Sequence, residues 1–524
     1  MTLPSQAERR HSAAQAIVAR RLPHADSLWW LVLVAAAFSA AQLLFVPPRM
    51  GLSWDEVVYV SQTGSHAPAA YFDAARSRGI PLLVMPVELL TSSVVALRVY
   101  LSLASGLGMF LAFLAWRRLR PAWMLALAGL MFGGLWAAQY WGPQAFPDEW
   151  IAFTALAATG CFLRAAERSQ AASRQAAGPG PASPASPGPA SAGPANRQAD
   201  GAAGGYRGAL AGLAVSVGLA ALVRPLDAVF LTLALVVASL AVAEWRRWPL
   251  PAATIAGLLA GSAEWVIEAY VRFGGPLARL HAAGAAQGGF GLHLGVWAEF
   301  RALNGPTLCR PCAVGLRHPE ISLWWLALPV LTWLGVLAAR RAGRLRTSLL
   351  PALCGLAVAT PYLVLISYAA PRFLLPAYAL LAIPVADAIA GLVVGVRPDL
   401  RPITTGIVVV CLGAQLVLQH LVLDHEVGGT VAFHNDYSRV VADLRHLGIR
   451  PPCLIKGSQH IPVAYYAGCG STGRPALLPG GAGQEPVVVL VRHGARPPGY
   501  ARTWPHHALP GTRILNLVAY LEPR

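Results

Sequence analysis

The chain has 524 residues, of which 56% are hydrophobic and only 12% are charged. Soluble domains average about 45–50% apolar and about 25% charged residues, so the composition excludes an ordinary soluble protein and favours a membrane protein. The net charge of +17 comes almost entirely from arginine, since Lys456 is the only lysine. These arginines lie between the apolar runs, a pattern that is typical of the topology signals of membrane proteins and not of nucleic-acid binding.

The apolar runs predict about eleven transmembrane helices. Residues 1–27 are polar, and the run from Leu28 to Val46 is long enough to span a bilayer. It lacks a small-residue cleavage site and more spans follow, so we interpret it as a retained first helix. The further predicted spans cover residues 98–116, 122–140, 148–164, 208–223, 226–244, 251–270, 322–339, 348–368, 373–394 and 402–422.

The arginines in the short loops predict the orientation of these helices. Alternate loops contain Arg117, Arg118 and Arg120, then Arg164 and Arg168, Arg246 and Arg247, Arg340, Arg341, Arg344 and Arg346, and finally Arg397 and Arg401. All of these fall on the side of the N-terminus. The rule therefore predicts a multi-pass protein of the cell membrane with a cytoplasmic N-terminus and, after an odd number of spans, an extracytoplasmic C-terminus.

The remaining segments complete the predicted domain organisation. Residues 169–205 are rich in Ala, Pro, Gly and Ser, which predicts a disordered cytoplasmic linker between a first membrane part, 28–168, and a second, 206–422. The outer side receives two long loops, 47–97 and 271–321. It also receives residues 423–524, where strand-like runs at Val487–Val491 and Ile514–Ala519 and a helix-like stretch at Ser438–Leu447 predict a small α/β domain.

Four of the seven cysteines lie in segments predicted to be outside the cell. Cys309 and Cys312 share one loop, and Cys453 and Cys469 share the C-terminal segment. Disulfides are expected within each segment if both lie in an oxidising compartment. A redox or metal role for the Cys-x-x-Cys sequence is the weaker alternative, because no His cluster with zinc-like spacing accompanies it.

Two acidic pairs stand at the predicted outer membrane boundary. Asp55 and Glu56 follow the first span, where a solvated loop would also explain them. Asp148 and Glu149 open the fourth span, where they would also suit the positive end of a helix. The two pairs become informative together, because both lie on one side of the membrane at similar depth.

Basic residues on the same side provide the complement to these acids. Arg372 occupies a tight turn between two spans, Arg98 begins the second span, and Arg224 precedes Pro225. A guanidinium at this depth is placed to bind a lipid phosphate, although an interfacial anchor is the alternative for Arg98 and Arg224. Topology does not explain Arg372, because that turn runs against the arginine bias. Glu264 and Glu268 are four residues apart, on one face of a predicted helix, and could line the cavity formed by these acids and arginines.

The order of these features resembles the GT-C superfamily of membrane glycosyltransferases. A first span, an acidic pair in a long outer loop, a second acidic pair and the late sequence Pro-Arg-Phe-Leu-Leu-Pro at 371–376 make up the resemblance, which covers residues 28–394. Protein mannosyltransferases and lipid A aminoarabinose transferases belong to this superfamily. The His that follows the acidic pair in protein mannosyltransferases is absent, since Val57, Val58 and Tyr59 stand there.

The resemblance implies roles for individual residues. Asp55, with Glu56 adjacent, would be the catalytic base, and Asp148 and Glu149 would support the acceptor or a divalent cation. Arg372 would contact the donor phosphate.

The predicted function is transfer of a sugar of the mannose or pentose class from a polyprenyl-phosphate donor to an extracytoplasmic acceptor. The acceptor would be a cell-envelope glycan or lipid, membrane lipids surround the chain, and no nucleic acid is a partner. A polytopic transporter or lipid flippase without glycosyl transfer is the alternative, and a non-catalytic envelope-assembly protein is the third interpretation. The predicted fold is all-α and GT-C-like, with a small extracytoplasmic α/β domain at the C-terminus.

Overall fold

The computed structural model describes residues 27–176, 194–471 and 485–523, apart from residues 290, 311, 313–314, 317 and 512–513. In chain order its α-helices are α1 (Trp29–Phe45), α2 (Trp54–Val60), α3 (Gly79–Glu88), α4 (Val94–Leu114), α5 (Ala122–Gly133), α6 (Trp136–Trp141), α7 (Asp148–Ala176), α8 (Pro194–Val223), α9 (Pro225–Ala241), α10 (Pro249–Glu268), α11 (Pro276–Ala286), α12 (Val296–Ala302), α13 (Pro319–Arg341), α14 (Arg346–Thr360), α15 (Leu375–Gly395), α16 (Arg401–His446) and α17 (His460–Ala467).

Among the described residues, seven helices are long and apolar enough to cross a membrane by length and composition. They are α4, α8, α10, α13, α14, α15 and α16. Helices α1, α5 and α9 are apolar but shorter, and α7 is not among the seven. Ten of the eleven predicted spans each overlap one α-helix, and the span 122–140 is divided between α5 and α6, because Leu135 is extended. The count of eleven spans stays a prediction. The protein is a multi-pass membrane protein.

The surface of the helical bundle is apolar, as a surface facing lipid must be. Large hydrophobic side chains such as Leu233, Leu259, Trp333 and Val410 are more than half exposed along the long helices. A soluble monomer rarely exposes an apolar area of this extent. Inside the bundle, α8 packs against α7 and α10. Glycines allow α8 and α10 to approach closely, because a Cβ at Gly261 would lie 2.0 Å from the Gly218 carbonyl oxygen.

Two predicted boundaries differ from the structure. The predicted linker 169–205 is shorter as described, since α7 continues to Ala176 and α8 begins at Pro194. Residues 1–26 and 177–193 lie outside the described residues. The span predicted to end at 422 continues to His446 as one helix, α16, which includes most of the separately predicted stretch 438–447. An uninterrupted helix thus connects the membrane bundle to the C-terminal domain.

The described part of the C-terminal domain contains a five-stranded sheet with the order β2-β1-β3-β5-β4. Its strands are β1 (Leu454–Gly457), β2 (Gly470–Ser471), β3 (Val487–Arg492), β4 (His506–Ala508) and β5 (Leu517–Leu521). β1 runs parallel to β2 and β3, and β5 runs antiparallel to β3 and β4. The predicted strand 487–491 is confirmed. The strand predicted from Ile514 begins three residues later, after Asn516 adopts a left-handed conformation with a φ of 45°.

The central strand β3 is apolar along its length because it is buried on both faces. Val488 and Leu490 belong to the same core as Tyr437 of α16 and Val463 of α17. Val489 and Val491 pack on the opposite face in a second small core. The predicted cysteine pairs are bonded in the structure: Cys453 to Cys469 in this domain, and Cys309 to Cys312 in the loop before α13.

Candidate active site

The first acidic pair begins the short helix α2, which follows α1 after eight residues. Ser53 caps this helix, and its backbone N–H donates to the Glu56 carboxylate at 2.9 Å in a capping box. Acidic residues in the first turn also suit the positive end of the helix dipole. The local sequence therefore explains why Asp55 and Glu56 lie at the start of a helix and project from adjacent positions in different directions.

Glu56 points into the protein and is fully buried. Its carboxylate forms a bidentate ion pair with Arg98, in which Arg98 Nη2 lies 3.0 Å from Glu56 Oε2 and Nη1 bonds Oε1. The Ala145 backbone N–H donates to the same carboxylate at 3.0 Å. With these partners the carboxylate is saturated, so the structure does not support Glu56 as a group that meets substrate.

Arg98 is also fully buried and binds main-chain carbonyls besides Glu56. It donates to the carbonyl oxygens of Gly51 at 3.0 Å and Pro143 at 2.9 Å. The Arg98–Glu56 pair thus ties the segment before α2 to α4 and to the segment before α7. The predicted phosphate-binding role of Arg98 does not fit, because its donors are occupied and no part of it reaches an open surface.

Asp55 projects toward two arginines. Its Oδ1 lies 2.6 Å from Arg76 Nη2, and its Oδ2 lies 3.5 Å from Arg372 Nη2. Burial by itself would raise the pKa of Asp55, but the positive charges of Arg76 and Arg372 outweigh it and hold the pKa below its ordinary value. The side chain keeps 34% of its surface exposed, so an ionised carboxylate remains within reach of a ligand.

Arg372 joins the first acid to the second acidic pair. Its Nε lies 3.4 Å from Oδ2 of Asp148, a residue that is fully buried. Neither of these two atoms makes a hydrogen bond with any described residue, so the contact is an ion pair without aligned hydrogen bonds. The guanidinium packs against aromatic rings, 4.7 Å from the Phe146 ring centroid and 5.2 Å from that of Phe373.

Local sequence explains the position of Arg372. Pro371 opens a single 3₁₀ turn, Pro371–Leu374, which leads directly into α15. Ala369, two residues before Pro371, forms an isolated antiparallel bridge with Cys309. The disulfide-bonded loop before α13 therefore holds the chain that enters the turn.

Arg224 lies on the other side of Asp148. Its Nη1 is 2.6 Å from Asp148 Oδ1 and 2.9 Å from the Tyr362 hydroxyl oxygen. Tyr362 donates in turn to Asp227 at 2.6 Å. The predicted residues Asp55, Asp148, Arg224 and Arg372 thus converge in one cluster of alternating charge, named here the acid–arginine cluster.

Glu149 does not join the acid–arginine cluster. It is fully buried and accepts a hydrogen bond from the Ser105 hydroxyl at 2.9 Å, and Gln42 donates to Ser105 at 3.0 Å. Adjacent residues on a helix face directions about 100° apart, so Asp148 and Glu149 cannot both face the same site. The predicted support of acceptor or metal by Glu149 is therefore not favoured by its position.

Sequence reasoning missed three members of the site: Arg76, Asp227 and Tyr362. An arginine in the outer loop 47–97 runs against the arginine bias, but Arg49 and Arg78 lie in the same loop, so this signal does not single out Arg76. Asp227 is an ionisable residue inside a predicted span, which is also a recognised signal. Tyr362 lies in a π-helical turn, Pro361–Leu365, and nothing in the local sequence marks it.

The C-terminal domain contacts the segment that carries Asp55. The Leu52 N–H donates to the Tyr466 hydroxyl at 2.6 Å, and His434 Nδ1 lies 2.8 Å from the Gly51 carbonyl oxygen. The Trp54 and His460 rings meet edge to face at 4.9 Å between centroids. The C-terminal domain thus packs against the start of α2 and supports its position.

Comparisons with solved structures identify the fold. The crystal structure of ArnT from Cupriavidus metallidurans bound to undecaprenyl phosphate matches with a TM-score of 0.58 at 14% sequence identity, covering 95% of this chain and 100% of that chain. The apo structure of the same protein matches with 0.58 at 13% identity, over 94% and 99%. The Archaeoglobus fulgidus oligosaccharyltransferase in complex with Zn and sulfate matches with 0.50 at 12% identity, over 84% and 62%.

No protein-family model and no curated protein matches the sequence. At the identities of the solved structures, the similarity establishes the fold. The chain shares its fold with ArnT, and the GT-C-like fold predicted from its motifs is confirmed at that level.

Proposed function

We propose that this protein is a membrane glycosyltransferase that moves a sugar from a polyprenyl-phosphate donor to an extracytoplasmic envelope glycan or lipid. The observation that supports this most strongly is that Arg372 lies between Asp55 and Asp148. A guanidinium that would bind a phosphate thus lies next to a partly exposed carboxylate. The GT-C fold agrees with this proposal and gives no support to the transporter alternative.

Asp55 is the base in this proposal, and Asp148 is not. Asp55 is partly exposed, whereas Asp148 has no exposed surface and is paired with Arg224 at 2.6 Å. The low pKa of Asp55 keeps its carboxylate ionised at neutral pH, ready to accept the proton of the acceptor hydroxyl. Its Oδ2, the oxygen farther from its nearest arginine, is the atom that receives this proton.

Arg372 is the group that receives the donor phosphate. Its contacts to both acids are long and poorly aligned, so a phosphate oxygen would replace them with shorter, charge-assisted hydrogen bonds. The acceptor oxygen attacks the anomeric carbon, the bond from that carbon to the phosphate oxygen breaks, and the polyprenyl phosphate leaves with the electron pair. Arg372 stabilises the charge that develops on this leaving group. A single displacement of this kind inverts the anomeric configuration.

In this proposal, Arg372 is held in place by four residues, Arg224, Asp148, Tyr362 and Asp227. Arg224 is 22% exposed, so it can assist with the phosphate, as the sequence predicted. The buried pair Arg98 and Glu56 acts as scaffold for α2.

A divalent cation would have the partly exposed carboxylate of Asp55 available here, whereas Asp148 has no exposed surface and is paired with Arg224 and Arg372. No group of three His, Cys, Asp or Glu side chains converges in the described ranges of the chain. One accessible carboxylate does not fit a zinc site, which takes three or four protein ligands. It fits an ion of the Mg²⁺ type, which binds one or two carboxylates together with phosphate oxygens and would add Lewis-acid stabilisation of the leaving group. The steps above are assigned to side chains alone.

The orientation of the chain completes the proposal. The arginine bias puts the N-terminus in the cytoplasm and both the acid–arginine cluster and the C-terminal domain outside. A donor anchored in the bilayer by its prenyl chain suits such a site, because the phosphate would reach Arg372 from the membrane.

The substitution Asp55→Asn tests the proposal. It removes the base while preserving size, and we expect transfer from a polyprenyl-phosphate sugar to fall by at least about 10²-fold. Asp73→Asn is the matched control, since Asp73 also pairs with Arg76, at 2.8 Å, and is exposed to a similar extent. Purified protein should be equally folded in both variants. Near-normal transfer by Asp55→Asn would remove Asp55 from the chemistry.

A further inference from the structure

A second group of charges lies beside the acid–arginine cluster and is centred on Glu268. Its Oε1 is 2.6 Å from Arg78 Nη2 and 2.7 Å from Arg272 Nη1. Its Oε2 is 2.8 Å from Arg279 Nη2. Three guanidinium groups thus share one carboxylate, instead of Glu268 lining the cavity as its helical spacing suggested.

Two of these arginines bind the main chain of residues 72–78, the segment between α2 and α3. Arg279 donates to the carbonyl oxygen of Ala74 at 3.2 Å and to that of Arg76 at 2.8 Å. Arg272 donates to the Phe72 carbonyl oxygen at 3.4 Å. Segment 72–78 is therefore attached through its backbone to α11 and to the π-helical turn Ala269–Phe273 that follows α10.

Arg279 is fully buried, which makes this attachment costly and specific. A buried guanidinium needs a partner for its charge and for its hydrogen-bond donors. Glu268 supplies the charge, and the carbonyl oxygens of Ala74, Arg76 and Trp265 accept from the remaining donors. The ring of Trp265 lies 4.6 Å from the guanidinium carbon and excludes water. Arg279 can hardly move without breaking several bonds at once.

Segment 72–78 carries Arg76, the arginine closest to Asp55. Arg76 reaches Asp55 at 2.6 Å and Asp73 at 2.8 Å, while its own carbonyl oxygen is held by Arg279. A long side chain on an untethered loop would lose this geometry to rotamer entropy. The hydrogen bond from Arg279 to the Arg76 carbonyl oxygen fixes the backbone of Arg76 and therefore the position that its guanidinium reaches.

We propose that Arg279 and Glu268 are positioning residues that hold the Arg76 guanidinium against Asp55. The inference rests on the proposed function of Asp55 as the base. It adds two residues that lie outside the acid–arginine cluster and do not touch Asp55.

The charged and titratable groups that face Asp55 determine what the loss of Arg279 should do. They are Arg76 and Asp73 from segment 72–78, Tyr59 from α2, Arg224 before α9, Tyr368 and Arg372 before α15, and Asp148 beyond Arg372. Burial raises the pKa of Asp55 and the arginines lower it, so a displaced Arg76 lets the pKa rise. The base is active above its pKa, so activity should then be lost at a higher pH as the solution is acidified.

The experiment measures kcat/KM for transfer from a polyprenyl-phosphate sugar between about pH 8 and about pH 4. The acid limb of this profile is the pH range in which kcat/KM falls as the solution is acidified. Arg279→Lys keeps the charge but cannot reach the carbonyl oxygens of both Ala74 and Arg76, so we expect its acid limb to move up by about 1 pH unit or more. Glu268→Gln should move it in the same direction and serves if the first variant does not fold. The control is Arg120→Lys in a buried ion pair elsewhere, which should lower thermal stability and leave the limb in place.

A double-mutant cycle separates this role from a general structural one. Arg76→Gln alone should raise the acid limb, and adding Arg279→Lys should raise it no further, because both act through Arg76. Amide hydrogen exchange in residues 72–78 should also accelerate in Arg279→Lys. An unmoved limb, or fully additive shifts, overturns the inference while transfer itself still occurs. Absence of transfer by the parent chain at every pH overturns the proposed function, and the inference with it.

Discussion

Two arginines that face carboxylates, Arg372 and Arg120, show how differently this protein uses the same side chain. Arg120 binds Asp387 through Nη2 at 2.7 Å and Nε at 3.2 Å. Its other donor positions are used by Thr347 at 2.5 Å, Ser348 at 3.0 Å and the Leu119 carbonyl oxygen at 3.0 Å. Arg372 also faces carboxylates, but at 3.4–3.5 Å and without aligned hydrogen bonds.

The difference separates a structural ion pair from a site that can accept a ligand. A buried charge is costly, and Arg120 compensates for it with a complete set of partners. Arg372 keeps unused hydrogen-bonding capacity beside a partly exposed acid, which is what a phosphate needs. Burial and charge alone would rank the two arginines together, so the completeness of their hydrogen bonding is the property that distinguishes them.

The largest effect is expected from the structural pair. Asp387→Asn leaves Arg120 buried without its counter-ion, which should destabilise the fold by about 3–5 kcal/mol. Thermal unfolding of the purified protein in detergent measures this loss. Transfer per folded molecule should stay near the parental value. A normal melting temperature combined with lost transfer would reverse the roles assigned to the two arginines.

Arg372→Ala should have the opposite signature. Loss of the group that stabilises the leaving phosphate should slow transfer by about 10²–10³-fold. The free energy of unfolding should fall by less than in Asp387→Asn, since Asp148 keeps Arg224 at 2.6 Å as its counter-ion. Single-turnover transfer and a melting curve on the same preparation measure both quantities. A strongly unstable Arg372→Ala protein would show that this arginine is structural.

Tyr362→Phe should also slow transfer, but by less than Arg372→Ala does. The hydroxyl bridges Arg224 and Asp227, so its removal leaves one hydrogen bond to each charged partner unmade. A loss of about 1.4 kcal/mol corresponds to roughly tenfold in the rate. We expect this reduction in kcat with little change in KM for the donor. Unchanged kinetics would mean that Arg224 does not need Tyr362 to stay aligned.

The fold was accessible from sequence because membrane helices are specified by composition and length. Every predicted span overlaps helical residues, although the span 122–140 is divided between α5 and α6, and the orientation stays a prediction. The end of α16 was missed because residues 423–446 are too polar for a span, although the helix continues through them to His446. Hydropathy detects the membrane and not the end of the helix.

The site was accessible only in part, for a physical reason. Short motifs place Asp55, Asp148 and Arg372 at one depth but cannot show which way adjacent side chains point. Asp55 and Glu56 differ by one helical position, and one meets solvent while the other meets Arg98. Asp148 and Glu149 divide in the same way. The roles of Arg76 and Tyr362 depend on contacts between segments distant in sequence, which no local pattern encodes.

The central claim is that the cluster around Asp55 and Arg372 transfers sugar from a lipid phosphate. Purified full-length protein and its Asp55→Asn variant should be incubated with polyprenyl-phosphate sugars carrying labelled hexose or pentose, in the presence of envelope lipids and glycans. The account predicts that the parent protein passes label from one donor class to the acceptor fraction and releases an equal amount of polyprenyl phosphate, and that Asp55→Asn does neither. Movement of intact donor across the bilayer without release of polyprenyl phosphate would contradict it.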